Sequence, residues 1–280
     1  IDPTNNNIVW VAAIGNAFKA NEERGIYKTV DGGLTWEKVL FVSNETGFAD
    51  LVLLPGNPNV VYAAAWKARR TPWTINSGGK NSEGGIYKSV NGGKDWVKLG
   101  KGLPQGLIGK IDLAVSAVDS RILYAVIEAP EKEGGLYKSV DQGKSFKQVS
   151  NDERLVNRPF YYTNIELDPT NPDIIYSNAN PLIKSVDGGK TWEQKGLLDS
   201  HHISDIVLDA TNPDVAVVGA LGHLYSDNAE RGVFKTTDGG DTWEKTLFIN
   251  DKTGIISLAE APENPSVLYA TAWERERAAW

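Results

Sequence analysis

The stretch that decides the reading is Ser185-Val186-Asp187-Gly188-Gly189-Lys190-Thr191-Trp192. The same order of hydroxyl, carboxylate, glycines, hydroxyl and indole returns around Asp31 and Trp36, and again around Asp238 and Trp243. Two looser copies hold Asn91 with Trp96 and Asp141 with Phe146. The steps along the chain are 60 residues from Asp31 to Asn91, then 50, 46 and 51. A catalytic centre is not expected five times in one chain. A turn is.

Each copy is embedded in the same four short apolar runs. The first run reads like Ile111-Asp112-Leu113-Ala114-Val115, the second like "VVYAAAW" (60–66) or "ILYAVI" (122–127). The third reads "GIYKT" (25–29) or "GVFKT" (232–236), and the fourth starts at the box aromatic, as in "TWEKVLF" (35–41). β-Branched and aromatic residues in short runs bounded by Gly, Pro and Asn predict strands, and no segment carries a 3.6-residue apolar period. Four strands in each unit of about 50 residues predict an all-β fold, a β-propeller of four-stranded antiparallel blades. The box falls in the hairpin between the third and fourth strands. Its glycines supply positive φ, its Asp accepts hydrogen bonds from turn amides, and its Trp is expected to bury against a neighbouring hairpin or blade. On this reading Asp31, Trp36, Asn91, Trp96, Asp141, Phe146, Asp187, Trp192, Asp238 and Trp243 are structural.

The motif S/T-x-D-x-G-x-T-W resembles the Asp-box, or bacterial neuraminidase, repeat. That repeat occurs in sialidases, xyloglucanase-type glycoside hydrolases, the sortilin propeller and secreted bacterial sortilin-like proteins. "NEERGIYKTVDGGLTWEKVLF" (21–41), "ARRTPW" (68–73) and "ERERAAW" (274–280) most resemble the bacterial sortilin-like group, which is often labelled as glycosyl hydrolases. The resemblance implies a propeller acting outside the cytoplasm.

A longer repeat overlies the short one. Residues 1–73 align without a gap with 208–280, and 34 of 73 positions are identical. The blades are expected at about 1–45, 46–100, 107–150, 160–197 and 202–249, with a partial one at 254–280: five near-complete blades and half a sixth, read as a fragment of a longer chain.

The net charge of −7 argues against nucleic acid as a partner. No apolar run reaches the roughly 20 residues that span a bilayer, so no membrane span is expected in this segment. The chain has no cysteine, which excludes disulfides and thiolate zinc sites and leaves the compartment open.

In such blades the 1–2 and 3–4 turns share one face, and the 2–3 loops lie on the other. Those loops are long and varied: "GNAFKANEERG" (15–25), "KARRTPWTINSGGKNSEG" (67–84), "APEKEGG" (129–135) and "GHLYSDNAERG" (222–232). They and the connections between blades mix cations with aromatics, which suits a surface that stacks and forks a ligand. Arg69, Arg70, Trp73, Arg158, Tyr161, Tyr162, His202, Arg277 and Trp280 are the candidate ligand contacts. Arg24 and Arg231 read as solvated lead-ins to a strand, paired with nearby Glu. His201 and His202 are adjacent, so in a strand their rings would point apart and share no metal.

Catalysis finds less support. A sialidase resemblance requires an Arg-Ile-Pro motif, which is absent. A xyloglucanase-type site requires an Asp-x-Gly-Gly segment after the second strand of the first blade, where this chain reads "GNAFKANEERG". Glu131, Glu133, Asp152 and Glu153 are available carboxylates. No H-E-x-x-H, phosphate loop or G-x-S-x-G is present, and no cofactor or metal is expected. The expectation is a non-catalytic binding or scaffold propeller for a protein, peptide or glycan, with a larger extracellular assembly as a further expected partner; the alternative is a glycoside hydrolase using loop carboxylates.

Overall fold

The computed structural model describes residues 1–79, 83–160, 163–178, 180–261 and 264–275. The chain divides into two compact units, Ile1–Asp152 and Glu153–Trp280. Both are built of antiparallel sheets, and the helix among the described residues amounts to three single 3-10 turns.

In the first unit, β1 (Val9–Ala13), β2 (Gly25–Thr29) and β3 (Glu37–Leu40) form a three-stranded sheet. The second sheet joins β4 (Thr46–Leu54), β5 (Asn57–Arg70), β7 (Gly85–Ser89) and β8 (Val97–Leu99), with β6 (Ile75–Ser77) folded back on the far end of β5. The third holds β9 (Ile111–Val115), β10 (Leu123–Ile127), β11 (Gly135–Ser139) and β12 (Lys147–Ser150). In the second unit β13 (Ile165–Leu167), β14 (Ile175–Ser177), β15 (Ile183–Ser185) and β16 (Glu193–Gln194) make one blade. β17 (Ile203–Leu208), β18 (Ala216–Ala220), β19 (Gly232–Thr236) and β20 (Glu244–Leu247) make the next, and β21 (Thr253–Ala261) pairs with β22 (Asn264–Glu274). Strands pair with their chain neighbours throughout, as propeller blades do.

The sequence of β5 shows why its run is apolar at every position. Val61, Ala63 and Ala65 pack toward Trp10 and Ile26 of the first sheet, while Tyr62 and Ala64 pack toward Ile111, Leu123 and Ile127 of the third. Alternate side chains leave opposite faces of a strand, so a strand between two sheets is buried on both. In the second unit β18 repeats the device: Ala216, Val218 and Ala220 meet Tyr176 and Leu182, and Val217 meets Ile255 and Leu258.

Polar bonds lace adjacent blades together at fixed places. The third-strand lysine reaches the box of the next blade: Lys28 Nζ donates to Gly92 O at 2.9 Å, Lys88 Nζ to Gln142 O at 2.8 Å and Lys184 Nζ to Gly239 O at 3.1 Å. Each ammonium lies over a second-strand ring, Trp10, Tyr62 or Tyr176, at 4.6–5.1 Å. An aspartate just after a bulge of the first strand also bridges to the next blade, as an acceptor. Asp50 accepts the amides of Leu51 and Leu113, and Asp205 those of Ile206 and Leu258, at 2.7–2.9 Å.

Candidate functional site

The box ends of the blades come first, because their geometry frees the other ends. Asp31 Oδ1 accepts Thr29 Oγ1 at 2.6 Å and the Thr35 amide at 2.9 Å, and its Oδ2 accepts Thr35 Oγ1 at 2.6 Å. Asp141, Asp187 and Asp238 repeat the pattern with their own hydroxyl neighbours. In the Asn91 box the roles reverse in one bond: Asn91 Nδ2 donates to Asp95 Oδ2 at 2.7 Å, where the other boxes have a hydroxyl donating to Asp. These bonds hold the carboxyls of Asp31, Asp141 and Asp187 down at about 2, and lower that of Asp238 as well. The first turn residue of every box donates its amide to the 1–2 turn of its own blade, as in Gly32 to Asn7 O and Gly239 to Asp214 O. Box turns and 1–2 turns therefore share one end of each blade, and the 2–3 loops occupy the other.

The box aromatics differ more than their sequence does. Trp96 meets Trp10 of the preceding blade edge-on at 6.5 Å, and Trp243 Nε1 donates to Lys195 O of the preceding blade. Phe146 is buried, while Trp36 is 43% exposed and donates to Gly33 O in its own turn.

At the loop end of the first unit, the longest loop is ordered into a hairpin. β5 runs past the sheet to Arg70, turns at Thr71–Thr74, and returns as β6. Trp73 stands at the tip, 80% exposed. Arg70 is half-buried and its amide donates to Ala17 O, tying the hairpin to the 2–3 loop of the first blade. Below the hairpin lies a cleft of about 560 Å³ lined by Lys19, Arg24, Glu45, Lys67, Arg69 and Asn76 together with small residues. Glu45 is ion-paired with Lys67 at 2.7 Å and is, among the described residues, the one carboxylate in this lining.

Arg24 and Arg231 correct the sequence reading. Each is 1% exposed, not solvated, and neither pairs with the Glu beside it. Arg24 Nη2 donates to Asn16 O at 2.8 Å and Ala68 O at 3.2 Å. Arg231 Nη2 donates to His223 O and Ser226 O, and its Nη1 to Lys252 O and Arg275 O. Both straps join a 2–3 loop to the second strand of the next blade, and burial lowers both guanidinium pKa values from their ordinary range. Glycine makes the room: a Cβ on Gly15 (φ +67°) would meet Arg24 Cγ at 2.7 Å, and one on Gly222 (φ +74°) would meet Arg231 Cγ at 2.5 Å.

The second unit gathers all three histidines of the chain. His201 stacks on His223 with ring centroids 3.8 Å apart, and His202 lies 6.2 Å from His201. The two adjacent rings do not point apart as a strand would place them, because His201 has φ +55° and closes a 3-10 turn. His202 is buried, with Nδ1 against Gly222 O at 2.8 Å. Burial pushes its pKa down; the Gly222 carbonyl opposes this, and charge on His201, Arg158 and His223 adds to it. Arg158 is exposed and also holds a positive φ, +63°. Arg158 and His202 are thus brought into one neighbourhood, whereas Tyr161, Tyr162, Arg277 and Trp280 lie outside the described residues. Among the described residues no three His, Cys, Asp or Glu side chains are placed to hold a metal. Glu131, Glu133 and Glu153 are exposed, and none of the four sequence-nominated carboxylates lines the first-unit cleft. No described helix is long and apolar enough to cross a membrane.

No protein-family model matches the sequence, and no curated protein matches it. Solved structures do. The GH74 enzyme of Niastella koreensis is 18% identical with a TM-score of 0.68, covering 98% of this chain and 43% of that one. An ancestral GH74 enzyme is 17% identical at 0.62, covering 99% of this chain and 36% of that one. YCF48 from Cyanidioschyzon merolae is 14% identical at 0.50, covering 96% of this chain and 89% of that one. The chain spans less than half the length of either GH74 structure. At these identities the likeness is one of fold, and with the sheets above it makes this chain an all-β protein of the β-propeller fold.

Proposed function

We propose that the chain is a non-catalytic binding propeller of the Asp-box, sortilin-like kind, acting outside the cytoplasm and recognising a protein, peptide or glycan at its 2–3 loops. The observation that carries the reading is the first-unit cleft, where cations surround one ion-paired carboxylate beneath an exposed tryptophan hairpin. A glycoside hydrolase needs an acid and a base facing each other about 5–10 Å apart. Among the described residues the cleft lining offers Glu45, already bound to Lys67.

The test pairs a binding screen with an assay for released reducing ends on the same polysaccharides. Binding without release, weakened by Trp73→Ala with an unchanged melting temperature, is the expected result. Release of reducing ends that a single carboxylate-to-amide change abolishes would establish the hydrolase reading instead.

A further inference from the structure

The geometry points to the first-unit cleft as a binding site for an acidic sugar, a hexuronate residue of an oligosaccharide held by its carboxylate. This rests on the loop-end binding reading above and names the ligand class for it. Arg24 is almost wholly buried, yet only its Nη2 is used by backbone carbonyls; Nε and Nη1 have no partner among the described residues, and the side chain lines the cleft. A buried cationic donor without an acceptor is costly, so its presence in a cleft wall marks a place built for an anion.

The chain supplies its own control. In the second copy Arg231 occupies the same position 207 residues later, and its Nη1 is consumed by Lys252 O and Arg275 O. Nε is without a partner in both copies among the described residues, so what sets Arg24 apart is its Nη1, which the strap uses in Arg231 and leaves without an acceptor in Arg24. Lys19 and Arg69 add two more cations to the wall, and Lys67 a third that Glu45 holds in place.

The rest of the lining selects the ligand. Beyond the alkyl stems of its cations, the described lining of the cleft holds nothing apolar larger than Ala20 and Ala68, which suits a sugar better than the side chains of a peptide. Asn76 and Glu45 offer an amide and a carboxylate to hydroxyl groups. A sugar acid matches both halves: its carboxylate takes the arginine fork and its hydroxyls take the acceptors. Glu45 would repel a dianion such as phosphate more than a singly charged carboxylate.

The experiment titrates the full chain by calorimetry with an oligogalacturonide of three to six residues. Its methyl ester, a neutral xylo-oligosaccharide, an acidic hexapeptide and inorganic phosphate serve as comparators. The oligogalacturonide is expected to bind saturably and its methyl ester at least about tenfold more weakly, the loss of one charge-assisted contact. Lys19→Gln and Arg69→Gln, both on exposed side chains, should each weaken binding several-fold without moving the melting temperature. Arg24→Lys should weaken it about tenfold or more, while Arg231→Lys should leave it unchanged. Absence of oligogalacturonide binding, equal binding of the methyl ester, or indifference to Lys19→Gln and Arg69→Gln would each overturn the assignment. Binding of the peptide or the neutral sugar in its place, sensitive to Trp73→Ala, would overturn it while leaving the binding-propeller reading intact. Release of reducing ends from the bound oligogalacturonide would instead keep the ligand and remove the non-catalytic reading.

Discussion

Residues 1–73 and 208–280 are two copies of one text, and the two ends of their blades have drifted unequally. At the box end Asp31 and Asp238 make the same three bonds, at 2.6, 2.9 and 2.6 Å in one and 2.7, 2.9 and 2.5 Å in the other. At the loop end the arginine is retained and its surroundings are not. Glu45 and Lys67 of the first copy become Lys252 and Glu274, and Asn16 becomes His223. The box end tolerates few changes because every donor and acceptor there is spoken for. The loop end can vary its chemistry so long as the arginine still spans two blades.

The largest expected effect lies in that strap. Arg231→Ala takes a donor from four part-buried carbonyls, of which Lys252 O keeps the Arg275 amide, and Arg24→Ala takes one from two, of which Asn16 O keeps the Asn21 amide, while removing two donors that had no acceptor. Denaturant unfolding should show a loss of about 3–5 kcal/mol for Arg231→Ala and about 1–3 kcal/mol for Arg24→Ala. Equal losses would erase the distinction between the copies.

Asp187→Ala comes next, at about 1–3 kcal/mol, because the turn amides of Lys190 and Thr191 lose their acceptor. Acid should act on all the boxes together. Their folded carboxyls titrate near 2 against an ordinary 3.8, so the unfolded chain binds protons first. The box contribution is complete above about pH 4 and is lost as pH falls toward 2. A melting temperature already falling between pH 6 and 4 in a chain with His202 replaced would contradict this.

His202 sharpens the comparison at milder pH. Its folded pKa lies below the ordinary 6.5, so stability drawn from the neutral ring is present above that value and fades as pH falls through the folded one. His202→Gln should flatten the melting-temperature profile of the second unit below about pH 6.5, and an unchanged slope would place the titration elsewhere. The slope for one such group is at most about 1.4 kcal/mol per pH unit.

The smallest effect concerns the irregular third box. Gln142 holds φ +60° where the other boxes place glycine at φ +70° to +74°. Gln142→Gly should stabilise by about 0.5–1 kcal/mol, read as a shift in the denaturation midpoint, since a left-handed backbone costs a side chain about that much. Destabilisation would show that the Gln142 side chain has a role beyond the turn.

The strands and the box hairpins were legible because both are local: short runs of β-branched and aromatic residues bounded by Gly, Pro and Asn, and a turn whose ligands lie within four residues of Asp. The arginine straps were not, because Arg24 meets Ala68 and Arg231 meets Arg275 across 44 residues, and flanking Glu22, Glu23 and Glu230 mimic a solvated surface. A signal did exist in Gly15 and Gly222, each nine residues before its arginine in both copies, opening the space it fills. The lysines of "YKT" and "YKS" were overlooked for a related reason. A strand lysine reads as polar facing, yet Lys184 is buried and bonded to the next blade. The hairpin of Arg70 to Ile75 was read as irregular loop, since Pro72 and a lone Trp73 carry no strand period.

Those lysine bonds also bear on how such a chain grows. Each joins one blade to the next, from a third strand to a backbone carbonyl, so the acceptor is independent of the side chain that supplies it. Gln142 O serves as well as Gly92 O. A blade therefore needs to know nothing of its neighbour beyond the path of that neighbour's turn. A copied or spliced blade would meet the same joint at Lys28, Lys88 and Lys184, since each donates to a backbone carbonyl of the next box. The 73-residue repeat at an offset of 207 is compatible with such interchangeable joints, since it keeps the box and the strand lysine while its loop chemistry differs.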